Sequence, residues 1–172
     1  KDEIDRAQEI ITNLLEFSRE SSAETEDVNI NDLLRRTLRL MHKYVQTNNV
    51  RVLTTFGKVG TCTSNQNALR QVFLNLITNA VQAMPNGGTL TLATERGTVG
   101  GRESIVIRVS DTGEGMDTQV KERARNPFFT TRPKGTGLGL AIVERVVRNH
   151  GGHVEIDSVG GEGTTVMFSL PL

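Results

Sequence analysis

The chain has 172 residues, room for one domain of ordinary size and a short appendage. Hydrophobic residues are 36% and charged residues 23%, with no tryptophan and one tyrosine, so the core has to be built from aliphatic side chains and six phenylalanines. Twenty basic residues cancel twenty acidic ones, which removes the footprint of a nucleic-acid binder or a polybasic membrane docker. The lone Cys62 forbids an internal disulfide, and no run approaches the roughly 18 apolar residues of a membrane span. The setting expected is reducing and cytoplasmic, with no direct membrane contact by this piece. No signal peptide is visible and the chain opens on Lys1, so a fragment of a longer protein is expected.

Ile4, Ala7, Ile11, Leu14 and Leu15 recur by threes and fours among charged residues, which predicts an isolated amphipathic helix over residues 1–22 whose stripe awaits another helix. Polar residues 23–29 read as a linker, and 30–172 as the main domain. Asn31 and Asp32 open a second helix through about Lys43, with Leu33, Leu34, Leu38 and Met41 on one side. Residues 50–56 read as a strand. Asn65 is a suitable N-cap for a helix carrying Leu69, Val72, Phe73, Leu76, Ile77 and Ala80, ended by Pro85-Asn86-Gly87-Gly88. Residues 89–95 and 104–110 alternate and read as a hairpin. From Asp111 to Gly139 the chain is irregular and glycine-rich, broken at most by a short helix near Val120 to Ala124; so long a loop points to function or disorder. A last helix runs from about Leu140 to Asn149, followed by strands at 153–158 and 164–170. The order predicts an α+β fold, a two-layer sandwich with a mixed sheet of about five strands and helices on one face.

Four segments carry chemistry, each open to a plainer reading. Asn75 and Asn79 lie four apart and share a helix face; a carboxamide oxygen suits Mg²⁺ that also touches phosphates, but two amides also suit an ordinary solvated face. Asp111, ending a strand ahead of Gly113 and Gly115, can accept from the amino group of adenine with glycines letting the base approach, or simply make a turn. Phe128 and Phe129, with Arg132 and Lys134 after them, are either a loop anchor beside phosphate-binding cations or a buried plug. Gly135-Thr136-Gly137-Leu138-Gly139 precedes a helix and offers free backbone N–H groups to an anion, or is only flexible. It lacks the Gly-Lys-Ser/Thr of a P-loop and the third glycine of a dinucleotide fingerprint.

In this order and spacing the four segments resemble the N, G1, F and G2 boxes of sensor histidine kinases, whose catalytic domain has the Bergerat fold shared with gyrase, Hsp90 and MutL. The resemblance covers about residues 28–172, and residues 1–20 resemble the second helix of the dimerisation and phosphotransfer hairpin. Asn-Ala-Val-Gln-Ala-Met at 79–84 is similar to the nitrogen-regulation branch. The resemblance implies that Asn79 ligates Mg²⁺ bridging the ATP phosphates, with Asn75 beside them. It implies that Asp111 binds the adenine amino group, with Gly113, Gly115 and Thr164 around the base. It further implies that Phe128 and Phe129 anchor an ATP lid while Arg132 and Gly135, Thr136, Gly137, Leu138 and Gly139 contact phosphates. Where the family usually has an Ile-Phe-Glu-like run before Pro-Phe-Phe-Thr-Thr, this chain has Ala124-Arg125-Asn126.

Clamp ATPases of the same fold place a glutamate, the base for the attacking water, where this chain has Asn75; an amide accepts no proton, which favours transfer to an external nucleophile. In the kinases that nucleophile is a histidine on the first hairpin helix, expected upstream of Lys1, since His42, His150 and His153 fit no acceptor motif. The implied partners are ATP, a homodimer mate through the N-terminal helix, and an aspartate of a response regulator. The alternative is a binding or scaffold module that signals without chemistry, favoured only by Ala124 to Asn126.

Overall fold

The computed structural model describes residues 24–133 and 135–172; the expected helix over 1–22 and Lys134 lie outside the described residues. Among the described residues seven strands and four helices follow in the order β1 Glu26–Asn29, α1 Ile30–Thr47, β2 Val50–Phe56, β3 Thr61–Ser64, α2 Gln66–Gln82, β4 Gly88–Val99, β5 Arg102–Asp111, α3 Thr118–Arg123, α4 Gly139–Asn149, β6 His153–Val159 and β7 Gly163–Pro171. Five strands form one sheet in the order β2-β4-β5-β7-β6, with β2 parallel to β4 and every other pair antiparallel. The expected mixed five-stranded sheet is therefore present.

A period of two decides which strand residues meet the helices. Register aligns Leu92 with Val109, Val109 with Val166, and Val166 with Ile156, and this row continues through Leu90, Ile107, Phe168 and Val154 into one core. The opposite row carries Arg108 and Glu95, whose ion pair at 2.7 Å is exposed. On the core face α2 packs against α1 on one side and α4 on the other. Its buried row Leu69, Val72, Phe73, Leu76, Ile77, Ala80 and Val81 is the periodic set of the sequence, and Phe73 meets Phe168 with ring centroids 6.1 Å apart.

The helix starts follow side-chain chemistry. Asn65 Oδ1 accepts the Ala68 N–H at 2.8 Å, the expected cap of α2. The Asn65 N–H donates to His150 Nε2 at 3.3 Å, while His150 Nδ1 faces the Val146 carbonyl at 2.7 Å. A carbonyl only accepts, so Nδ1 carries the proton and the ring is a neutral bridge from the end of α4 to the start of α2. α1 begins at Ile30, ahead of the expected Asn31, because Asn29 is its cap and accepts from the Asp32 N–H at 3.1 Å. Asn31 instead ties the helix to the sheet, donating to the Gly57 carbonyl at 2.8 Å and accepting from Thr94 Oγ1 at 2.7 Å.

The stretch expected as linker holds β1, which pairs antiparallel with β3 in a small second sheet, Val28 opposite Cys62. Both side chains are buried, and burial, with Asp27 adding to it, pushes the Cys62 thiol up to about 11, so it stays an unreactive thiol. The hairpin is longer than the alternation suggested, running to Val99 and Arg102 around Gly100 and Gly101, both at positive φ.

Candidate nucleotide site

Asp111 continues the core-facing row of β5 beyond the hydrophobic core, opposite Leu90 on β4 and Thr164 on β7. One oxygen, Oδ1, accepts the Gly113 N–H at 2.9 Å and the Thr164 N–H at 3.3 Å. Burial raises the carboxyl above its ordinary value; those two hydrogen bonds and the positive charge of Arg132 oppose the rise, and Glu114 adds to it. The second oxygen is left to accept from a ligand.

The loop after Asp111 fits only because it lacks side chains. A Cβ on Gly113 would stand 2.4 Å from the Ala83 carbonyl oxygen, which accepts the Glu114 N–H at 2.9 Å; the loop thereby lies on the end of α2. At Gly115, φ is +62° and a Cβ would come within 1.9 Å of the Val159 carbonyl oxygen. Sequence reasoning missed Ser158, the hub beneath this loop. Its Oγ accepts the Met116 N–H at 2.9 Å, donates to the Gly163 carbonyl at 3.0 Å and lies 2.8 Å from Thr164 Oγ1. One serine near a strand end carries no signal by itself; only the register with Thr164 reveals it.

Asn75 and Asn79 share a face of α2, as their spacing predicts, and that face meets the start of α4. A Cβ on Gly139 would be 3.4 Å from Asn79 Nδ2 and 3.9 Å from Asn75 Cβ, so this glycine lets the helix start lie on the two amides. Asn75 Nδ2 donates to the Gly139 carbonyl at 3.4 Å and its Oδ1 accepts from Gln71 Nε2 at 3.4 Å, both long. Arg132 reaches the same helix, donating to the Asn79 carbonyl at 3.2 Å and to Gln82 Oε1 at 2.8 Å. The start of α4 has Leu138 at its cap position with no side-chain cap, so its first N–H groups are free to meet an anion.

Within the loop between α3 and α4 further contacts fold the segment on itself. The Phe128 N–H donates to the Gly137 carbonyl at 2.9 Å, and Gly137, at φ +68°, has no room for a Cβ against Phe128. Thr136 Oγ1 accepts the Leu138 N–H at 3.4 Å, and Gly135 packs on Thr130. The aromatic pair is split. Phe129 lies under the Arg123 guanidinium, 4.3 Å from its ring centroid, whereas Phe128 is 62% exposed at φ +67°. Neither is a core plug.

Helices on one sheet face, an acceptor carboxylate at a strand end and two carboxamides against an uncapped helix start together define an α+β domain with a polar site at one end of its sheet. The chain belongs to the histidine kinase-, DNA gyrase B-, and HSP90-like ATPase family, whose sequence model matches residues 64–172. It is 33% identical over 172 residues to the sensor histidine kinase ZraS of Salmonella typhi, covering 99% of this chain and 36% of that protein. Full-length ShkA, solved in complex with AMPPNP, is 28% identical with a TM-score of 0.83 over 97% of this chain and 36% of its own. The catalytic domain of histidine kinase ThkA aligns at a TM-score of 0.75 and 25% identity, covering 87% of this chain and 96% of that domain. The chain thus spans 36% of the length of a full-length relative.

Proposed function

We propose that this chain is the catalytic part of a sensor histidine kinase, which places Mg·ATP for transfer of its γ-phosphoryl group to a histidine and onward to an aspartate of a response regulator. The observation that carries the reading is the Asn75–Asn79 face against Gly139: at the uncapped start of α4 the chain presents amides and peptide N–H groups and no carboxylate. Such groups position phosphates and spread their charge; an amide does not take a proton from water. Transfer rather than hydrolysis fits that donor set.

Among the described residues no group of three or more histidine, cysteine, aspartate or glutamate side chains could hold a metal alone. Mg²⁺ commonly takes few protein ligands and shares itself with phosphates. Asn79 fits that role, since its carboxamide makes no hydrogen bond with the described residues and Oδ1 is available. When bound, the cation supplies charge neutralisation on the phosphate oxygens. Asp111 accepts from the base amino group, and the backbone of Gly135 to Gly139 with Arg132 holds the phosphate end.

The histidines present support an acceptor elsewhere. Both nitrogens of His150 are engaged in the α4–α2 bridge, His153 stands on the exposed side of β6, 3.6 Å from Glu155, and His42 lies on α1, outside the site. Given γ-labelled ATP, magnesium and a hairpin polypeptide bearing a kinase acceptor histidine, the chain is expected to produce an acid-labile, base-stable label on that polypeptide. Rapid release of free phosphate with no labelled histidine overturns the reading in favour of an ATPase. Asn79→Ala is expected to lower transfer by about 100-fold, the scale of losing one group that stabilises transition-state charge.

A further inference from the structure

Ala124-Arg125-Asn126 stands where the resemblance leads one to expect an Ile-Phe-Glu-like run, and the structure gives this stretch its own attachment. Arg125 Nη2 donates to the Val154 carbonyl of β6 at 3.2 Å, and Nη1 stands 3.7 Å from Glu144 Oε2 on α4. The other oxygen of Glu144 is held by Arg148 Nε at 2.8 Å. Oε2 itself is buried and accepts no hydrogen bond from the described residues. A buried carboxylate oxygen without a donor is costly, and the cation facing it comes from the loop.

The pair joins the two ends of that loop. Arg125 lies just after α3, where the loop begins, and Glu144 lies on α4, the helix that ends it. The Phe128 to Gly137 hydrogen bond crosses the same loop further along, and Lys121 to Asp157, at 4.0 Å, is a looser tie between α3 and β6.

We propose that Arg125 is a positioning residue for nucleotide binding: held to Glu144 and β6, it fixes where Arg132 and Gly135 to Gly139 stand relative to the Asn75–Asn79 face. The proposal rests on the nucleotide-binding reading above. A ligand that needs the loop in one place binds in proportion to the fraction of molecules that hold it there. The Arg125 side chain is 38% exposed against 16% for Glu144, so solvent screens the pair and its loss costs a few-fold in affinity rather than orders of magnitude.

Calorimetric titration of the 172-residue chain with Mg·ATP at low and high salt tests this, comparing wild type with Arg125→Ala, Arg125→Lys, Glu144→Gln, Arg148→Ala and the Arg125→Ala/Glu144→Gln double variant. Arg125→Ala and Glu144→Gln are each expected to raise Kd about threefold to fivefold at low salt. The double variant is expected to cost no more than either alone, Arg125→Lys to recover part of the loss, and the differences to shrink at high salt. Arg148→Ala removes the other cation from the same carboxylate and is expected to leave Kd unchanged. Normal wild-type binding with an unaffected Arg125→Ala overturns the inference alone, as does an equal loss in Arg148→Ala, which makes the effect one of α4 stability. A wild-type chain giving no heat with Mg·ATP refutes the nucleotide reading and this inference with it.

Discussion

Around Asp111 the chain is locked by backbone. Two N–H groups close on one carboxylate oxygen, Gly113 and Gly115 leave no space for a methyl group, and Ser158 uses its hydroxyl fully beneath them. Between Phe128 and Gly139 the fixing contacts are fewer, mostly polar and mostly within the loop itself, and one phenylalanine faces solvent. The first region continues the sheet; the second is tied to α2 by Arg132, to α3 by the ring of Phe129, to β6 through the preceding Arg125, and to the core by Leu138 at its end. On the function proposed above, such a site would recognise the base with a surface already in place and gather the phosphates with a segment whose position is a matter of population.

The contrast is open to direct attack. Gly115→Ala should cost the most, at least about 3 kcal/mol, because the new Cβ meets a carbonyl oxygen at a positive φ; denaturant unfolding measures it, and a loss under 1 kcal/mol, on the order of a tolerated surface change, denies that the base-side loop is rigid. Asp111→Asn should lower affinity for ATP about 100-fold, since an amide NH₂ would face the amino group of the base, donor to donor.

The same variant is expected to be no less stable than wild type at neutral pH. The folded carboxyl is raised above its unfolded value by burial, so the native state binds that proton more tightly. Stability from this group is fully present below the unfolded value and is lost as pH rises through the folded one. The stability gap in favour of Asp111→Asn should therefore open with increasing pH across the carboxylate range and level off above it. Unfolding curves for both proteins at several pH values check the sign, and a gap that closes with rising pH rejects it. Phe128→Ser should be the mildest change, within about 0.5 kcal/mol of wild type in unfolding, because that ring is in water; a larger loss would show a buried role for it.

Long periodic stretches were legible in the sequence: α2, its Asn65 cap, strand β2 at its observed bounds and the hairpin of β4 and β5 all follow from spacing. The family was legible from the resemblance of the four segments to the kinase boxes, and the amide pair from a helix repeat of 3.6 residues, which places Asn75 and Asn79 together. β1 and β3 were not legible. Each has four residues, and only Val28, Cys62 and Ser64 are buried, too few for alternation to show. Ser158 and the Arg125–Glu144 pair were hidden for another reason: their partners lie far away in sequence or depend on register, and nothing local distinguishes them from solvated side chains. Phe128 and Phe129 read as a unit because they are adjacent, yet a single positive φ sends one outward.

The His150 ring has a further use. With one nitrogen donating within its own helix and the other accepting from the first residue of the N-cap turn of α2, it spans the two helices on which the amide pair and the uncapped N–H groups sit. An imidazole held from both helices in this way offers a resonance that serves as a native magnetic label of the distance between them. Loading the protein with nucleotide would reveal in that one signal whether the pair shifts as a block or slides apart.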